Sequence, residues 1–254
     1  MSARRDELEA AFRSIGVVRL EPGFFDEPAF LKEEENIKAN GIGLLDFYAE
    51  YCLETAVGEG YLENARAVVN KVKAFIGPLL AEENRDGRCM PATLLISRFL
   101  EVEGIWNFIV KGGVVVRFPT ESKLAPKILE PEDGHGGTFG HTWIVAPPFD
   151  VIDLTISRQF YSPKQLGIIT DDVVQERVDI EIDTMFPSHQ TLSETFKERF
   201  CPRRATINGC TISYVPYGIG GPNESFPNMG QPVLGGYTPF ELYKRFKSQT
   251  SPEQ

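Results

Sequence analysis

The chain has 254 residues, a formal net charge of −10 and a pI of about 5.0. This length suits one domain, or one domain with an elaborated flank, and it can bury a sizeable core without a disulfide or a metal. We expect no nucleic-acid partner, because the chain is acidic and its lysine and arginine residues are scattered, whereas binding a phosphate backbone needs clustered cations.

The first third of the chain is predicted to be helical. Apolar residues recur at helical spacing in residues 5–14, 44–55 and 62–75, and residues 27–40 form a charged helix candidate. An amphipathic stripe needs an apolar partner surface, so we expect these helices to pack on each other and on the segments that follow. We predict an N-terminal helical portion, 1–83, and a core with a C-terminal extension, 84–254, either as two units or as one continuous domain.

A different pattern begins at Cys89, which follows a polar loop. Pro91 has no N–H to donate and therefore suits the first turn of a helix. Leu94, Leu95 and Phe99 then form an apolar face. We expect Cys89 to lie at the very start of a buried helix.

Strands are predicted after Gly104 from segments rich in β-branched and aromatic residues. These segments are residues 106–110, 114–118, 141–145, 151–155, 173–182 and 206–215. Residues 192–200 are predicted to be helical, and Thr238-Pro239 is the expected start of a last helix. Long loops are predicted at 119–140 and at 216–237, and the second is a candidate cover for a cleft. The predicted class is α+β, with the Cys89 helix packed on an antiparallel sheet.

The apolar runs and the cysteine spacing of the chain argue against a membrane segment, a secretory signal and a metal site. No run of about 18 apolar residues occurs, so we expect neither a transmembrane helix nor a membrane partner. Residues 1–13 are charged and lack the apolar centre of a secretory signal. The four cysteines form no CxxC and no paired metal-ligand spacing, so we expect no metal and no cofactor. Reduced thiols and a cytoplasmic location are the expectation.

Cys89 is the candidate nucleophile among the cysteines. A thiol reacts as its thiolate, and an ordinary pKa of about 8.5 keeps it protonated at neutral pH. The unpaired N–H groups and the dipole at a helix start lower that pKa, and a neighbouring imidazole lowers it further. The alternative is that Cys89 is a small buried apolar residue, which is the common role of a free cysteine.

His141 and Asp153 are predicted to form a pair. A hairpin centred on Pro147 would place the two directly opposite each other on one face. The carboxylate would then hold one ring nitrogen and leave the other for a thiol. Asp150 is a nearby competitor that we assign to the turn, where aspartate is common. The alternative for Asp153 is a buried carboxylate satisfied by backbone groups alone.

With these residues in order, the chain resembles the transglutaminase-like superfamily of papain-like cysteine enzymes. The similar segments are Gly87-Arg88-Cys89, residues 104–112 (GIWNFIVKG), 140–145 (GHTWIV) and 151–155 (VIDLT). The resemblance covers about residues 85–155, and Trp106-Asn107 departs from the usual Pro-Ala. The Gly-Arg-Cys segment is also similar to that of arylamine N-acetyltransferases, although their substrate loops are not recognisable.

The resemblance implies that Cys89 is the nucleophile, His141 the general base and acid, and Asp153 the residue that orients the imidazole. The backbone N–H of Cys89 is a natural oxyanion donor at its helix start. The side chain of Asn84 is a second candidate, whose alternative is a loop cap. Trp143 is a cleft candidate beside the pair, where we expect it to act by packing.

The expected reaction is thiolate attack on an amide, ester or thioester carbonyl through an acyl-enzyme. Hydrolysis, as in a peptidase or deamidase, and acyl transfer, as in a transglutaminase, share these steps. The expected substrate is a protein or peptide. The alternative is a catalytically silent scaffold of the same type that binds a protein partner.

Overall fold

The computed structural model describes residues 2–37, 43–56, 58–83, 89–129, 140–180, 203–220 and 234–250. The α-helices in these ranges are α1 (Ala3–Ser14), α2 (Pro28–Ile37), α3 (Leu44–Thr55), α4 (Glu59–Glu83), α5 (Cys89–Val102), α6 (Pro163–Leu166) and α7 (Pro239–Thr250). The strands are β1 (Phe108–Arg117), β2 (Lys127–Leu129), β3 (His141–Ala146), β4 (Phe149–Asp153), β5 (Val173–Gln175), β6 (Asp179–Ile180), β7 (Arg203–Ile207) and β8 (Cys210–Gly220). The predicted mixture of helices with an antiparallel sheet is confirmed.

All eight described strands belong to one antiparallel sheet. Its order is β5-β4-β3-β1-β8-β7-β6, and β2 pairs with β1 beyond the end of β3. The sheet curls until β5 approaches β7, where Gln175 Nε2 donates to the carbonyl of Thr206 at 3.0 Å. The sheet therefore nearly closes on itself, and β1 lies at its centre.

Two hydrophobic cores cover the two faces of the sheet. Helices α1, α2 and α3 share the first core with one set of alternating strand residues, such as Val110 and Trp143. Helices α4, α5 and α7 share the second core with the other set, such as Ile109 and Ile144. Because side chains alternate along a strand, neighbouring residues of β1 and β3 serve opposite cores. Each core combines side chains from before and after residue 84.

The helix predictions of the N-terminal third are confirmed in position, with one difference in length. The helix predicted at 62–75 is α4, which begins at Glu59 and continues through Pro78 to Glu83. Ile76 and Leu80 extend the buried stripe of α4 into the second core, and this packing sustains the extra turns. None of the described helices combines the length and the apolar character that crossing a membrane requires.

Two of the strand predictions were wrong in their connectivity. The segments 106–110 and 114–118 belong to one continuous strand, β1, in which Gly112 lies between them. The segment 206–215 is not one strand, because Asn208 and Gly209 turn the chain between β7 and β8. Both turn residues have positive φ, 50° and 74°, which is the conformation that an Asn-Gly hairpin turn requires.

The loop and end predictions were right in part. The segment 173–182 contains two short strands, β5 and β6, instead of one, and the loop 119–140 contains β2. Residues 216–220 continue β8, whereas 221–233 and the helix predicted at 192–200 lie outside the described residues. Thr238 caps α7 as predicted: its Oγ1 accepts from the N–H of Glu241 at 3.3 Å, and the Glu241 carboxylate accepts from the N–H of Thr238 at 2.9 Å.

Candidate active site

Cys89 is the first residue of α5, as predicted, and its side chain is 8% exposed. The N–H groups at the start of a helix have no intrahelical acceptor, which favours negative charge there. Burial alone would raise the pKa of the Cys89 thiol, but the polar and charge interactions with the nearby His141 ring, together with that of Thr142, outweigh burial. The pKa of Cys89 therefore lies below its ordinary value.

His141 and Asp153 make the predicted contact. Nε2 of His141 lies 2.7 Å from Oδ2 of Asp153, and both side chains are fully buried. Burial would lower the pKa of His141, but the Asp153 carboxylate dominates and raises it to about 10. Burial would raise the pKa of Asp153, but the imidazolium charge and the hydrogen bonds to Thr155 hold it below its ordinary value.

This contact determines which nitrogen of His141 faces the thiol. An ionised carboxylate only accepts hydrogen bonds, so Nε2 carries a proton. Nδ1 is buried, and no atom of the described residues meets hydrogen-bond geometry with it. The Cys89 thiol nevertheless lies near enough for ring and sulfur to shift each other's pKa. Nδ1 is therefore the nitrogen available to exchange a proton with the sulfur.

The hairpin register differs from the predicted one. Ile144 pairs with Ile152 and Ala146 with Phe149, with an irregularity between the two pairs. Continuing the first of these pairings places Asp153 one diagonal step from His141 instead of directly opposite. The shift is two residues, so both side chains stay on one face of the sheet. The predicted direct opposition was wrong, while the predicted shared face and contact are confirmed.

Asp153 is held by more donors than the sequence predicted. Its Oδ1 accepts from the N–H of Thr155 at 3.0 Å and from the hydroxyl of Thr155 at 2.9 Å. Its Oδ2 accepts from the hydroxyl of Tyr214 at 3.0 Å, in addition to His141. The alternative of satisfaction by backbone groups alone is wrong. Tyr214 was missed; its signal is a polar tip within the inward-facing apolar series of β8, beside Ile212.

A pair of threonines lies on the other face of β3, between it and α5. The hydroxyl of Thr93 donates to the carbonyl of Thr142 at 3.3 Å, and the hydroxyl of Thr142 lies 3.2 Å from Oγ1 of Thr93. The Thr142 hydroxyl also helps to lower the pKa of the Cys89 thiol. These contacts fasten the start of α5 to the start of β3, next to His141.

The outcome differs for the two remaining site candidates, Trp143 and Asn84. Trp143 is 2% exposed and packs edge to face on Tyr214, with ring centroids 5.1 Å apart. The expected packing role of Trp143 is confirmed, but a buried ring cannot line an open cleft, so that role was wrong. Asn84 lies outside the described residues. Asp150, assigned to the turn, lies within β4 and accepts from the N–H of Val178 at 3.2 Å.

Within the described ranges, no group of three or more histidine, cysteine, aspartate or glutamate side chains is arranged to hold a metal ion. A scan against family profiles, a search of curated proteins and a search of solved structures each found no match. The function is therefore inferred from the contacts around His141.

Proposed function

We propose that the chain is a cysteine-dependent enzyme that acts on amide or thioester carbonyls, with Cys89, His141 and Asp153 as its triad. The observation that carries this proposal is the 2.7 Å contact between His141 Nε2 and Asp153 Oδ2. That contact commits one ring nitrogen to the carboxylate and leaves the other for the thiol at the start of α5. A protonated ring near a thiol with a lowered pKa is the resting state of an activated cysteine nucleophile.

The first half of the reaction forms an acyl-enzyme. The thiolate sulfur of Cys89 bonds to the carbonyl carbon, and the carbonyl π electrons move to the oxygen. The N–H groups of Cys89 and Met90 have no intrahelical acceptor at the start of α5 and are suited to stabilise that charge. When the intermediate collapses, the bond to the leaving group breaks, and the Nδ1–H of His141 protonates the departing amine or thiolate.

The second half releases the acyl group. A water molecule or an amine attacks the thioester, and Nδ1 of His141 takes its proton. The bond between carbon and sulfur breaks, and the Cys89 thiolate and the imidazolium are restored. Water gives hydrolysis, as in a peptidase or deamidase, and an amine gives acyl transfer, as in a transglutaminase. A protein or peptide is the proposed substrate.

The scaffold supports the same proposal. A cysteine at a helix start, followed along the chain by a histidine and an aspartate on adjacent antiparallel strands, is the arrangement expected of a papain-like or transglutaminase-like core. The elements that carry it are α5, β3 and β4. The described cysteines Cys52, Cys89 and Cys210 are all free thiols, as is typical of proteins in a reducing compartment. We therefore propose a cytoplasmic location.

The test is the reactivity of individual thiols towards iodoacetamide, followed by peptide mapping. We expect alkylation of Cys89 to be much faster than that of Cys52 at pH 6–7. Burial raises the pKa of Cys52, whose thiol donates to the carbonyl of Asn107, so Cys52 is an internal reference. An activated ester such as p-nitrophenyl acetate should leave an acetyl group on Cys89 and release a burst of p-nitrophenol.

Cys89→Ala should abolish the burst and leave the circular dichroism spectrum unchanged. His141→Gln should slow the labelling of Cys89 at neutral pH, because the imidazolium that stabilises the thiolate is lost. Cys210→Ala is the matched control, and it should leave both readouts intact. Labelling of Cys89 no faster than that of Cys52, with an ordinary thiol pKa, would refute the proposal and favour the silent scaffold.

A further inference from the structure

One oxygen of Asp153 serves two donors. Oδ2 accepts from His141 Nε2 at 2.7 Å and from the Tyr214 hydroxyl at 3.0 Å. The other oxygen, Oδ1, is taken by the N–H and hydroxyl of Thr155. The carboxylate therefore accepts four hydrogen bonds, and each of its oxygens has a fixed pair of donors.

The direction of the bond to Tyr214 follows from counting protons. An ionised carboxylate has none to give, so the phenol hydroxyl must donate. Tyr214 is fully buried and Asp153 is 2% exposed, so bulk water does not compete for either group. A phenol that lost its proton here would face the carboxylate, and accordingly burial and Asp153 both raise the pKa of Tyr214.

The ring of Tyr214 is held in place by the sheet. It stands on β8 directly across from Val114 of β1, the central strand. Its ring packs edge to face on Trp143, whose centroid is 5.1 Å away. Because both neighbours belong to buried strand positions, the hydroxyl has a defined position instead of a range of rotamers.

We propose that Tyr214 is a positioning residue of the site: its hydroxyl shares Oδ2 of Asp153 with His141, and so fixes the carboxylate and weakens its hold on the imidazolium. Two donors on one oxygen divide its negative charge between them. Without the hydroxyl, Oδ2 is a stronger acceptor for Nε2, and the ring binds its proton more tightly.

The catalytic consequence rests on the proposed function. His141 must take a proton from an attacking group and give one to a leaving group within the same cycle. A general acid and base works best when its pKa is not far from the operating pH. By competing for Oδ2, Tyr214 lowers the pKa of His141 towards the operating pH. Tyr214→Phe should raise that pKa again and slow the release of the leaving group.

The decisive experiment reads the imidazole itself. The full chain carrying Cys89→Ala removes the thiolate that also raises the pKa of His141, so the His141 titration then reports Asp153 and Tyr214. We would follow the His141 ring by NMR between pH 5 and 11, with and without Tyr214→Phe. The expected result is that Tyr214→Phe raises the pKa of His141 by about 0.5 pH unit. A merely structural role would lower the melting temperature and leave the titration unmoved.

Tyr161→Phe is the matched control. Its hydroxyl is also buried and lies near enough to Asp153 for the charges to interact, but it has no hydrogen-bond partner among the described residues. Removing this hydroxyl should leave the pKa of His141 unchanged. Equal shifts in the two variants, or a titration in Tyr214→Phe that superimposes on the parent, would overturn the proposal.

A second measurement covers the case in which Tyr214→Phe does not fold. Biosynthetic replacement of the eight tyrosines by 3-fluorotyrosine keeps the shape of the ring and makes each hydroxyl a stronger donor. The pKa of His141 should then fall, and a pKa that stays constant would overturn the proposal. Neither titration uses the reactivity of Cys89, so a failed Cys89 labelling test and a failed Tyr214 test are distinguishable.

Discussion

His141 and Asp153 are in contact across a diagonal of the β3–β4 hairpin, not across a directly opposed pair. Their atoms are 2.7 Å apart, although the register of Ile144 with Ile152 offsets them by two residues. A strand presents every second side chain to the same face, so an offset of two preserves the pairing and an offset of one would destroy it. The irregularity near Ala146 is thus compatible with the site.

The first prediction concerns Asp153→Asn. The two Thr155 donors require an acceptor at Oδ1, so the new amide NH₂ must take the place of Oδ2. It would then face the Nε2–H of His141, and the ring would shift its proton to Nδ1, the nitrogen that faces the thiol. Without a base, the burst with p-nitrophenyl acetate should fall by about 10²–10⁴-fold. The alkylation profile of Cys89 should move to higher pH.

Asp150→Asn is the control for this prediction. Asp150 lies on the same strand and accepts one backbone N–H, that of Val178, which an asparagine oxygen can also accept. Its burst and alkylation profile should match those of the parent chain. If Asp153→Asn retained the full burst, the carboxylate would not orient His141.

The position of Cys89 and the pairing of His141 with Asp153 could be predicted because their causes are local. Pro91 marks the first turn of α5, and a short turn near Pro147 brings β3 and β4 together. Each inference needs only the alternation of a strand or the chemistry of a helix start, within a few residues of the position concerned.

Tyr214 could not be predicted in the same way. It contacts Asp153 from 61 residues further along the chain, through the placement of β8 beside β1. That placement depends on the strand order of the whole sheet, which no local pattern encodes. The Asn208-Gly209 turn is a different case. Asn-Gly is a strong local signal for a hairpin turn, so this turn could have been predicted from the sequence in place of one strand over 206–215.

The second prediction concerns Gly112→Ala. Gly112 stands directly across from His141 in the β1–β3 ladder. A Cβ atom there would lie 2.1 Å from the carbonyl oxygen of Val215 and 2.7 Å from Cη2 of Trp143. The Val215 carbonyl belongs to a neighbouring strand and cannot simply rotate away. We expect a loss of about 2–3 kcal/mol in the free energy of unfolding, measured by urea denaturation, with slower alkylation of Cys89.

Gly218→Ala is the comparison within the same pair of strands. Gly218 lies across from Lys111, and a Cβ atom there would meet no atom of the described residues within 4 Å. Its free energy of unfolding should stay within about 0.5 kcal/mol of the parent value. If the two variants lost equal free energy of unfolding, the lack of space for a Cβ atom at Gly112 would not explain the effect of Gly112→Ala.

The third prediction concerns Glu101, a buried carboxyl in the last turn of α5. Arg98, which also pairs with Asp26, donates to its Oε2 at 2.7 Å. The single proton of the Ser97 hydroxyl goes to Oδ1 of Asn107 at 2.7 Å, so Oε1 of Glu101 faces an oxygen with no hydrogen left to give. A protonated Glu101 would complete this chain by donating to Ser97. In accordance with that, burial raises the pKa of Glu101 to about 7.

A carboxyl that binds its proton more tightly in the folded chain destabilises the fold as the pH rises from its unfolded pKa, about 4.3, to its folded value. Glutamine mimics the neutral acid, since its amide donates to Ser97 and its oxygen accepts from Arg98. Relative to the parent, Glu101→Gln should therefore gain about 2 kcal/mol in the free energy of unfolding between pH 5 and pH 8. Urea denaturation at each pH measures the difference.

Glu241→Gln provides a control of opposite sign. The Glu241 carboxylate accepts from the N–H of Thr238, and that bond lowers the pKa of Glu241. Its contribution to stability is present above the unfolded pKa and is lost as the pH falls below it, so Glu241→Gln should lose stability relative to the parent as the pH rises towards about 5 and should change little between pH 5 and pH 8. If the difference in the free energy of unfolding between Glu101→Gln and the parent stayed constant from pH 5 to pH 8, the Arg98 guanidinium would outweigh burial in setting the pKa of Glu101. Glu101 would then be ionised in the fold throughout this range, and the Ser97 proton would have to be shared between Glu101 and Asn107.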